Sequence, residues 1–151
     1  MRLLAIGKGG RGPESELFER YAARIRPRLE LVALADGTGS PGEIRRREGA
    51  SILGRLPAGA LLVALDQGGL APDSEGFAAR LASWQACGKP LAFAIGGAEG
   101  LDRPVLDRAD AVISLGMLTW PHMLVRAMLA EQVYRAQCIL AGHPYHRAGR
   151  P

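Results

Sequence analysis

The sequence predicts an α/β protein in which a sheet of parallel type is flanked by helices. Five short apolar runs recur along the chain, and each is apolar on successive rather than alternate residues. That pattern is typical of strands buried on both faces of a parallel sheet. Segments with helical periodicity separate the runs, and this alternation of strand and helix indicates an α/β architecture.

The predicted elements follow one another in a regular order. The strands are residues 3–6, 29–34, 61–65, 91–95 and 111–115. The helices are residues 14–25, 41–56, 75–86, 103–108 and 121–140. Clusters of glycine, serine and proline at residues 37–42 and 67–74 predict loops that lead into the second and third helices.

Length and composition are those of one globular domain. A chain of 151 residues can bury a sizeable core, so residues 1–151 are expected to form a single domain. Apolar residues make up 48% and charged residues 23%, which is typical of a soluble protein. With neither a signal peptide nor a transmembrane run in view, we expect a cytoplasmic location and no membrane partner. Cys87 and Cys138 lack partners at metal-ligand spacing, so we expect two small buried side chains and no metal.

The charge is mildly basic and is carried almost entirely by arginine. The net charge is +4, and only Lys8 and Lys89 among the nineteen basic residues are lysines. Arginine suits bidentate phosphate contacts, although a compositional bias of the genome explains the excess equally well. The run at residues 45–47 is either a solvated helix face or an RNA contact, and Lys8 and Arg11 form a second candidate RNA-facing patch.

One glycine motif supports an alternative function. Gly7, Gly9 and Gly12 satisfy G-x-G-x-x-G directly after the first strand, and Asp36 ends the second strand. This spacing resembles a dinucleotide-binding fingerprint and suggests a small nicotinamide-dependent enzyme. The motif is weakened by Pro13 and by the basic residues in the loop, and glycine is abundant in this chain.

Two glycine turns in the last third of the chain indicate a ligand site. Gly97 and Gly116 each follow an apolar strand, where a residue without a side chain lets the backbone approach a ligand closely. Such turns suit an adenine or a methionine-like group held by main-chain hydrogen bonds. The alternative is that both are ordinary turns.

The long helix that follows carries charged residues beside its apolar stripe. We predict Thr119 as its N-cap, with Pro121 in the first turn. Glu131 and Arg135 lie four residues apart, which is consistent either with a surface ion pair or with two groups that project into a site.

Two further groups of residues are candidates for anion or RNA binding. His122 and Arg126 at the helix start are either a capping pair or anion ligands. The segment His143-Pro144-Tyr145-His146-Arg147 is unusual for a chain end, because its tyrosine can stack on a base and its basic residues can hold phosphate. A non-enzymatic ribosome-binding protein is therefore a third possible function.

Several segments together resemble one known family. IGGAEGL, LTWPHMLVR, AEQVYRA and HPYHR, at residues 95–101, 118–126, 130–136 and 143–147, are similar in order and spacing to SPOUT-superfamily methyltransferases that N3-methylate a pseudouridine in large-subunit ribosomal RNA. The similarity extends over the whole chain. It implies an S-adenosylmethionine-dependent homodimer with a C-terminal trefoil knot, acting on 23S ribosomal RNA in the assembled ribosome.

The resemblance also implies roles for individual residues. The cofactor pocket would comprise Leu65, Gly97, Leu115, Gly116, Met117, Leu118, Thr119 and Trp120. Glu131, Arg135 and His146 would be catalytic, with Glu131 or His146 as the base. His122, Arg126, Tyr145 and Arg147 would bind the substrate. Trp120 and Met123 depart from the Leu and Pro that are usual in the family, so Trp120 could crowd or stack on the cofactor.

Overall fold

A computed structural model describes residues 1–147 and contains one five-stranded parallel sheet. The spatial order of its strands is β2-β1-β4-β3-β5, and every pairing is parallel. The strands are β1 Arg2–Ile6, β2 Glu30–Leu34, β3 Leu61–Leu70, β4 Leu91–Ile95 and β5 Ala111–Ile113. The predicted α/β class with a parallel sheet is confirmed.

Five helices cover the two faces of the sheet. They are α1 Pro13–Ala22, α2 Pro41–Arg55, α3 Ser74–Ala86, α4 Arg103–Arg108 and α5 His122–Leu140. Helices α1, α3 and α5 contribute to one buried cluster, and α2 and α4 contribute to the other. Each predicted helix therefore exists, with ends that differ by up to three residues.

The two cores divide the side chains of each strand between the faces. In β1, Leu3 and Ala5 belong to the cluster with α1, α3 and α5, whereas Leu4 and Ile6 belong to the cluster with α2 and α4. All four side chains have no exposed surface. Burial on both faces explains why the strands are apolar on successive residues.

The chain connections place crevices at the carboxyl edge of the sheet. Strands β1 and β3 lead into helices on one face, whereas β4, which lies between them, leads into α4 on the other. Where connections leave neighbouring strands in opposite directions, the carboxyl ends of the strands are held apart and a ligand can enter. The topology therefore favours ligand binding around the end of β4.

Strand β3 is longer than its apolar run predicts. It continues to Leu70, which pairs with Ile113 of β5 beyond an irregularity in the register, although residues 67–70 were expected to form a loop. Gly69 makes this possible: a Cβ atom there would lie 2.7 Å from backbone atoms of Val112 and Ile113. A glycine pair thus marks a close backbone approach here rather than a turn.

Two smaller expectations are corrected by the structure. Cys138 is buried as expected, but Cys87 is exposed because it follows the last turn of α3 at the surface. Helix α5 begins at His122 with Pro121 as its N-cap, so Thr119 does not cap it. In the described residues no helix is long and apolar enough to span a membrane.

Candidate active site

Of the two cavities that adjoin residues 114–116, the larger lies at the carboxyl ends of β3, β4 and β5. Its volume is about 750 Å³, within the range of small-molecule sites. Its wall comprises residues 65–67, 95–101, 114–116 and 118–122, together with Val125. This is the edge of the sheet that the connections leave open.

The turn after β4 forms one wall of this cavity. A Cβ atom on Gly96 would lie 2.7 Å from the carbonyl carbon of Gly100, and the Gly100 N–H donates to the Gly97 carbonyl at 3.1 Å. Gly100 has a φ of +77°, which favours glycine. The chain therefore doubles back tightly, and three glycines of this turn, Gly96, Gly97 and Gly100, line the cavity.

The loop after β5 forms the opposite wall and is fixed near both ends. The Ser114 hydroxyl donates to the Gly116 carbonyl at 3.0 Å and accepts from the Gly116 N–H at 3.1 Å. Gly116 has a φ of +109°, so the turn depends on glycine there. Further along, the Thr119 hydroxyl accepts from Gln67 of β3 at 3.0 Å. That bond occupies the hydroxyl that the sequence assigned to a helix cap.

Seven of the eight residues predicted to bind the cofactor line this cavity. They are Leu65, Gly97, Leu115, Gly116, Leu118, Thr119 and Trp120. Met117 does not line it, and its side chain is 86% exposed. Trp120 lies in the wall with 38% of its surface exposed, so its ring is available to a ligand from the cavity side.

A charged cluster lies on the other side of the Ser114 to Gly116 turn. Arg135 makes a short ion pair with Glu131, and its guanidinium carbon lies 4.9 Å from the centre of the Tyr145 ring. The Tyr145 hydroxyl donates to Glu131 Oε1 at 3.0 Å, and Arg135 Nη1 lies 3.4 Å from His146 Nδ1. The structure thus brings together the three residues predicted to be catalytic and the tyrosine of the chain end.

The surroundings of the cluster raise the pKa values of Tyr145 and Arg135. Burial raises the pKa of Tyr145, and hydrogen bonds to Tyr21 and Glu131 raise it further, so its phenol is neutral at physiological pH. The hydrogen bond to Glu131 raises the pKa of Arg135.

A second, mainly apolar cavity extends from the charged cluster to the loop after β5, residues 114–116. Its volume is about 480 Å³, and Tyr21, Met128, Glu131 and Gln132 contribute to its lining. Residues 114–116 line both cavities, so the two spaces share one wall. A ligand in the larger cavity and a group beside Glu131 would therefore lie on either side of this turn.

The structure places His122 and Arg126 in different surroundings, although the same role was predicted for both. His122 lines the larger cavity. Arg126 is 2% exposed and donates from Nη2 to the carbonyls of Ile6 at 2.7 Å and Gly7 at 2.8 Å. Burial lowers its pKa, an effect that the charge of Asp36 opposes. In this chain Arg126 therefore connects α5 to the end of β1, rather than facing RNA at the surface as expected.

The surroundings of the Gly7 motif do not favour a diphosphate. A Cβ atom on Gly7 would lie 3.0 Å from both Arg126 Nη2 and His122 Nε2, so side chains already occupy the space beside that residue. Glu14 and Glu16 stand in the first turn of α1, where negative charge opposes anion binding.

Several residues of the site were not found from the sequence. Ser114 and Gln67 fix the glycine loop, and Tyr21 and Gln132 contact the charged cluster. Tyr21 lies more than a hundred residues from its partners, so no local pattern predicts that contact. Ser114 could have been found, because a serine at the end of a strand, two residues before a glycine, is a turn signal.

Comparisons with known proteins identify relatives of this chain. The family model "Predicted SPOUT methyltransferase" matches residues 1–146. Proteins named "Ribosomal RNA large subunit methyltransferase H" from Acidiphilium cryptum and Gluconacetobacter diazotrophicus are 67% and 58% identical over 151 residues, covering 100% of this chain and 96% and 99% of theirs. A crystal structure of the SpoU methyltransferase AviRb from Streptomyces viridochromogenes with AdoMet has a TM-score of 0.49 and 15% identity, covering 91% of this chain and 57% of that one.

Proposed function

Since the chain belongs to the SPOUT methyltransferase family, we propose that it methylates N3 of a pseudouridine in 23S ribosomal RNA, with S-adenosylmethionine as the methyl donor. The observation that carries this proposal is the identity of 67% over the full chain with a protein named as a large-subunit ribosomal RNA methyltransferase. The choice of N3 and of pseudouridine rests on the motifs at residues 95–101, 118–126 and 143–147.

The larger cavity fits S-adenosylmethionine by its size and by the chemistry of its wall. Gly97 and Gly116 carry no side chain, so the backbone of both turns can come close to an adenine, and Leu115, Leu118 and Trp120 supply apolar surface. S-adenosylmethionine supplies, when bound, an electrophilic methyl group on a sulfonium. The loops of this chain hold and orient that group, with Thr119 fixed against Gln67.

Arg135 is proposed to stabilise the nitrogen that accepts the methyl group. Pseudouridine N3 passes its proton to the base of the cluster, His146 or Glu131, and negative charge develops on the ring. N3 then forms a bond to the methyl carbon as the sulfur–carbon bond breaks, and the sulfur keeps the electron pair of that bond. A guanidinium beside the ring lowers the free energy of that charge. Glu131 holds Arg135 in place through their ion pair, and Tyr145 packs against its plane.

The remaining predicted residues are proposed to bind the RNA. Tyr145 offers an aromatic edge for a base of the RNA. Arg147 is exposed and suits a phosphate. We further propose a homodimer, since the exposed side chains of Met117 and Leu118 are available to a second subunit. The proposed location is the cytoplasm.

Methyl transfer from labelled S-adenosylmethionine tests the proposed reaction. Intact ribosomes, isolated large subunits and free 23S RNA from cells that lack this activity are offered as substrates, and the modified nucleoside is identified by mass spectrometry. We expect 3-methylpseudouridine, formed fastest on assembled ribosomes. A different methylated nucleoside, or preference for free RNA, would contradict the proposed substrate.

Calorimetry separates this proposal from the two alternatives. We expect binding of S-adenosylmethionine at micromolar concentration and no binding of NAD. Binding of NAD alone would support the nicotinamide enzyme that uses the Gly7 motif. Ribosome binding without affinity for either cofactor would support a non-enzymatic ribosome-binding protein.

A further inference from the structure

The carboxyl group of Glu48 is buried, although Glu48 lies in a helix that is rich in polar residues. It lies in the middle of α2, and only 4% of its surface is exposed. Ile44, Glu48 and Ile52 are spaced four residues apart, so the carboxyl group occupies a position on the face that packs on the sheet. Burial of a carboxyl group is costly unless it is well bonded, so a residue of this kind calls for a specific explanation.

The contacts of Glu48 join two loops at the carboxyl edge of the sheet. Oε1 accepts a hydrogen bond from the Gly37 N–H at 2.9 Å. Oε2 is buried and has no hydrogen-bond partner within residues 1–147. A Cβ atom on Gly97 would lie 2.8 Å from Oε2 and 3.1 Å from Oε1, so the backbone of Gly97 rests directly on the carboxyl group.

Gly97 lies between Glu48 and the larger cavity. The turn of residues 96–100 is one wall of the cavity, and the Gly97 carbonyl closes the turn by accepting from the Gly100 N–H. Glu48 itself does not line the cavity. It therefore supports the wall from behind, on the side of the sheet covered by α2 and α4.

We infer that Glu48 is a positioning residue of the cofactor site: its carboxyl group supports the Gly97 backbone and thereby fixes the position of that backbone in the cavity wall. This inference rests on the proposed function, because it takes the cavity to hold S-adenosylmethionine. With the carboxyl group removed, the Gly97 turn can sink toward α2, and its backbone groups move away from the ligand. Displacement of a binding group by about 1 Å is enough to weaken a site strongly.

Glu48→Ala and Glu48→Gln test the inference by two measurements. In Glu48→Ala we expect the dissociation constant for S-adenosylmethionine to rise about tenfold. In the ligand-free protein we also expect the Gly100 amide to exchange its hydrogen faster. Glu48→Gln keeps the shape and the acceptor for Gly37, so it should restore most of both properties.

A matched variant excludes a general loss of stability as the cause. Ile52→Ala removes a buried side chain from the same helix, one turn from Glu48, and lowers the melting temperature without touching Gly97. We expect it to leave cofactor affinity within about twofold. Unchanged affinity in Glu48→Ala, or an equal loss in Ile52→Ala, would overturn the inference.

A double-mutant cycle tests the contact itself. Gly97→Ala places a methyl group against the carboxyl oxygens and should weaken cofactor binding. In the Gly97→Ala, Glu48→Ala protein the contacts with the carboxyl oxygens are removed and only the contact with Ile6 Cγ2 at 3.0 Å remains, so we expect the combined loss to be clearly smaller than the product of the single losses. Multiplicative losses would show that the residues act independently and would overturn the inference.

Two outcomes separate the inference from the proposed function. Failure of the wild-type chain to bind S-adenosylmethionine contradicts the proposed function, whatever Glu48 does. Unchanged protection of Gly100 in Glu48→Ala contradicts the role of Glu48, whatever the ligand is. Should Glu48→Ala not fold, Glu48→Asp replaces it, because the shorter side chain withdraws the carboxyl group from Gly97.

Discussion

Glu131 accepts hydrogen bonds from three neighbours, which argues against its use as a base. Arg135 and Tyr145 donate to Oε1, and Gln132 donates to Oε2 at 2.6 Å. An acceptor engaged in this way orients its partners and has little capacity left for a proton from the substrate. The structure thus favours one of the roles that the sequence leaves open for Glu131, namely that it fixes Arg135.

Glu131→Gln separates these roles by the pH dependence of methyl transfer. If Glu131 only orients Arg135, the rate should fall about tenfold to a hundredfold, while the shape of the pH profile stays the same. The measurement is the single-turnover rate on ribosomes between pH 5 and 9. If the variant instead loses the acid limb of the profile, Glu131 is the base and the role given to it here is wrong.

The raised pKa of Tyr145 predicts that the protein loses stability in alkaline solution. Burial and hydrogen bonds raise the pKa of Tyr145 above that of an unfolded tyrosine, which is about 10. The folded state then binds the proton more tightly, so this contribution is complete below pH 10 and declines as the pH rises above it. We expect the melting temperature of the wild type to fall more steeply than that of Tyr145→Phe between pH 9.5 and 11. Parallel curves would contradict the burial of this phenol.

Arg126 joins two elements that lie more than a hundred residues apart. Its bonds to Ile6 and Gly7 tie α5 to the end of β1, and Nε and Nη1 are buried without a partner among the described residues. Arg126→Ala leaves two buried carbonyls unpaired, so the free energy of unfolding should fall by about 2–4 kcal/mol. Urea denaturation measures this change.

The exposed Arg20 of α1 provides the control for that prediction. Arg20→Ala should change the free energy of unfolding by less than about 0.5 kcal/mol. If Arg126→Ala keeps its stability and loses only affinity for ribosomes, Arg126 faces RNA after all.

The elements were predictable where their pattern is local. The apolar runs located the core of all five strands. Successive side chains of β1 and β4 and of the first half of β3 are buried, whereas the edge strands β2 and β5 are only partly buried. The extension of β3 to Leu70 was not predictable, since Gly69 is explained only by the backbone of β5 against which it packs. Arg126 and Glu48 were also missed in their observed roles, because a charged residue on a helix is usually solvated and only tertiary contacts show otherwise.

At the scale of the molecule, the two parts of the proposed site come from one edge of the sheet. The family and the fold class expected from the sequence are confirmed, and the larger cavity lies where the connections of β4 and its neighbours diverge. The trefoil knot, the homodimer and the catalytic roles remain predictions. Tyr145 and His146 contact Glu131 and Arg135 of their own chain.

The distribution of charge over the whole molecule predicts that RNA binding and cofactor binding can be separated. Lys8 and Arg11 are exposed in the loop after β1, and neither lines the larger cavity. Reversal of both charges should weaken ribosome binding at least tenfold at low salt, because phosphate contacts are electrostatic, and the loss should shrink as salt rises. The affinity for S-adenosylmethionine should not change.

A control of equal charge tests whether this effect belongs to the loop. Arg2 and Lys89 lie at the amino ends of β1 and β4, opposite the proposed site, so Arg2→Glu with Lys89→Glu changes the net charge by the same amount at the far edge of the sheet. We expect this pair to retain most of the ribosome affinity, as measured by sedimentation with ribosomes over a range of salt concentrations. Equal losses from both pairs would mean that overall charge, rather than the loop after β1, attracts the RNA. A loss of cofactor affinity in the loop variant would mean that the two surfaces are not separate.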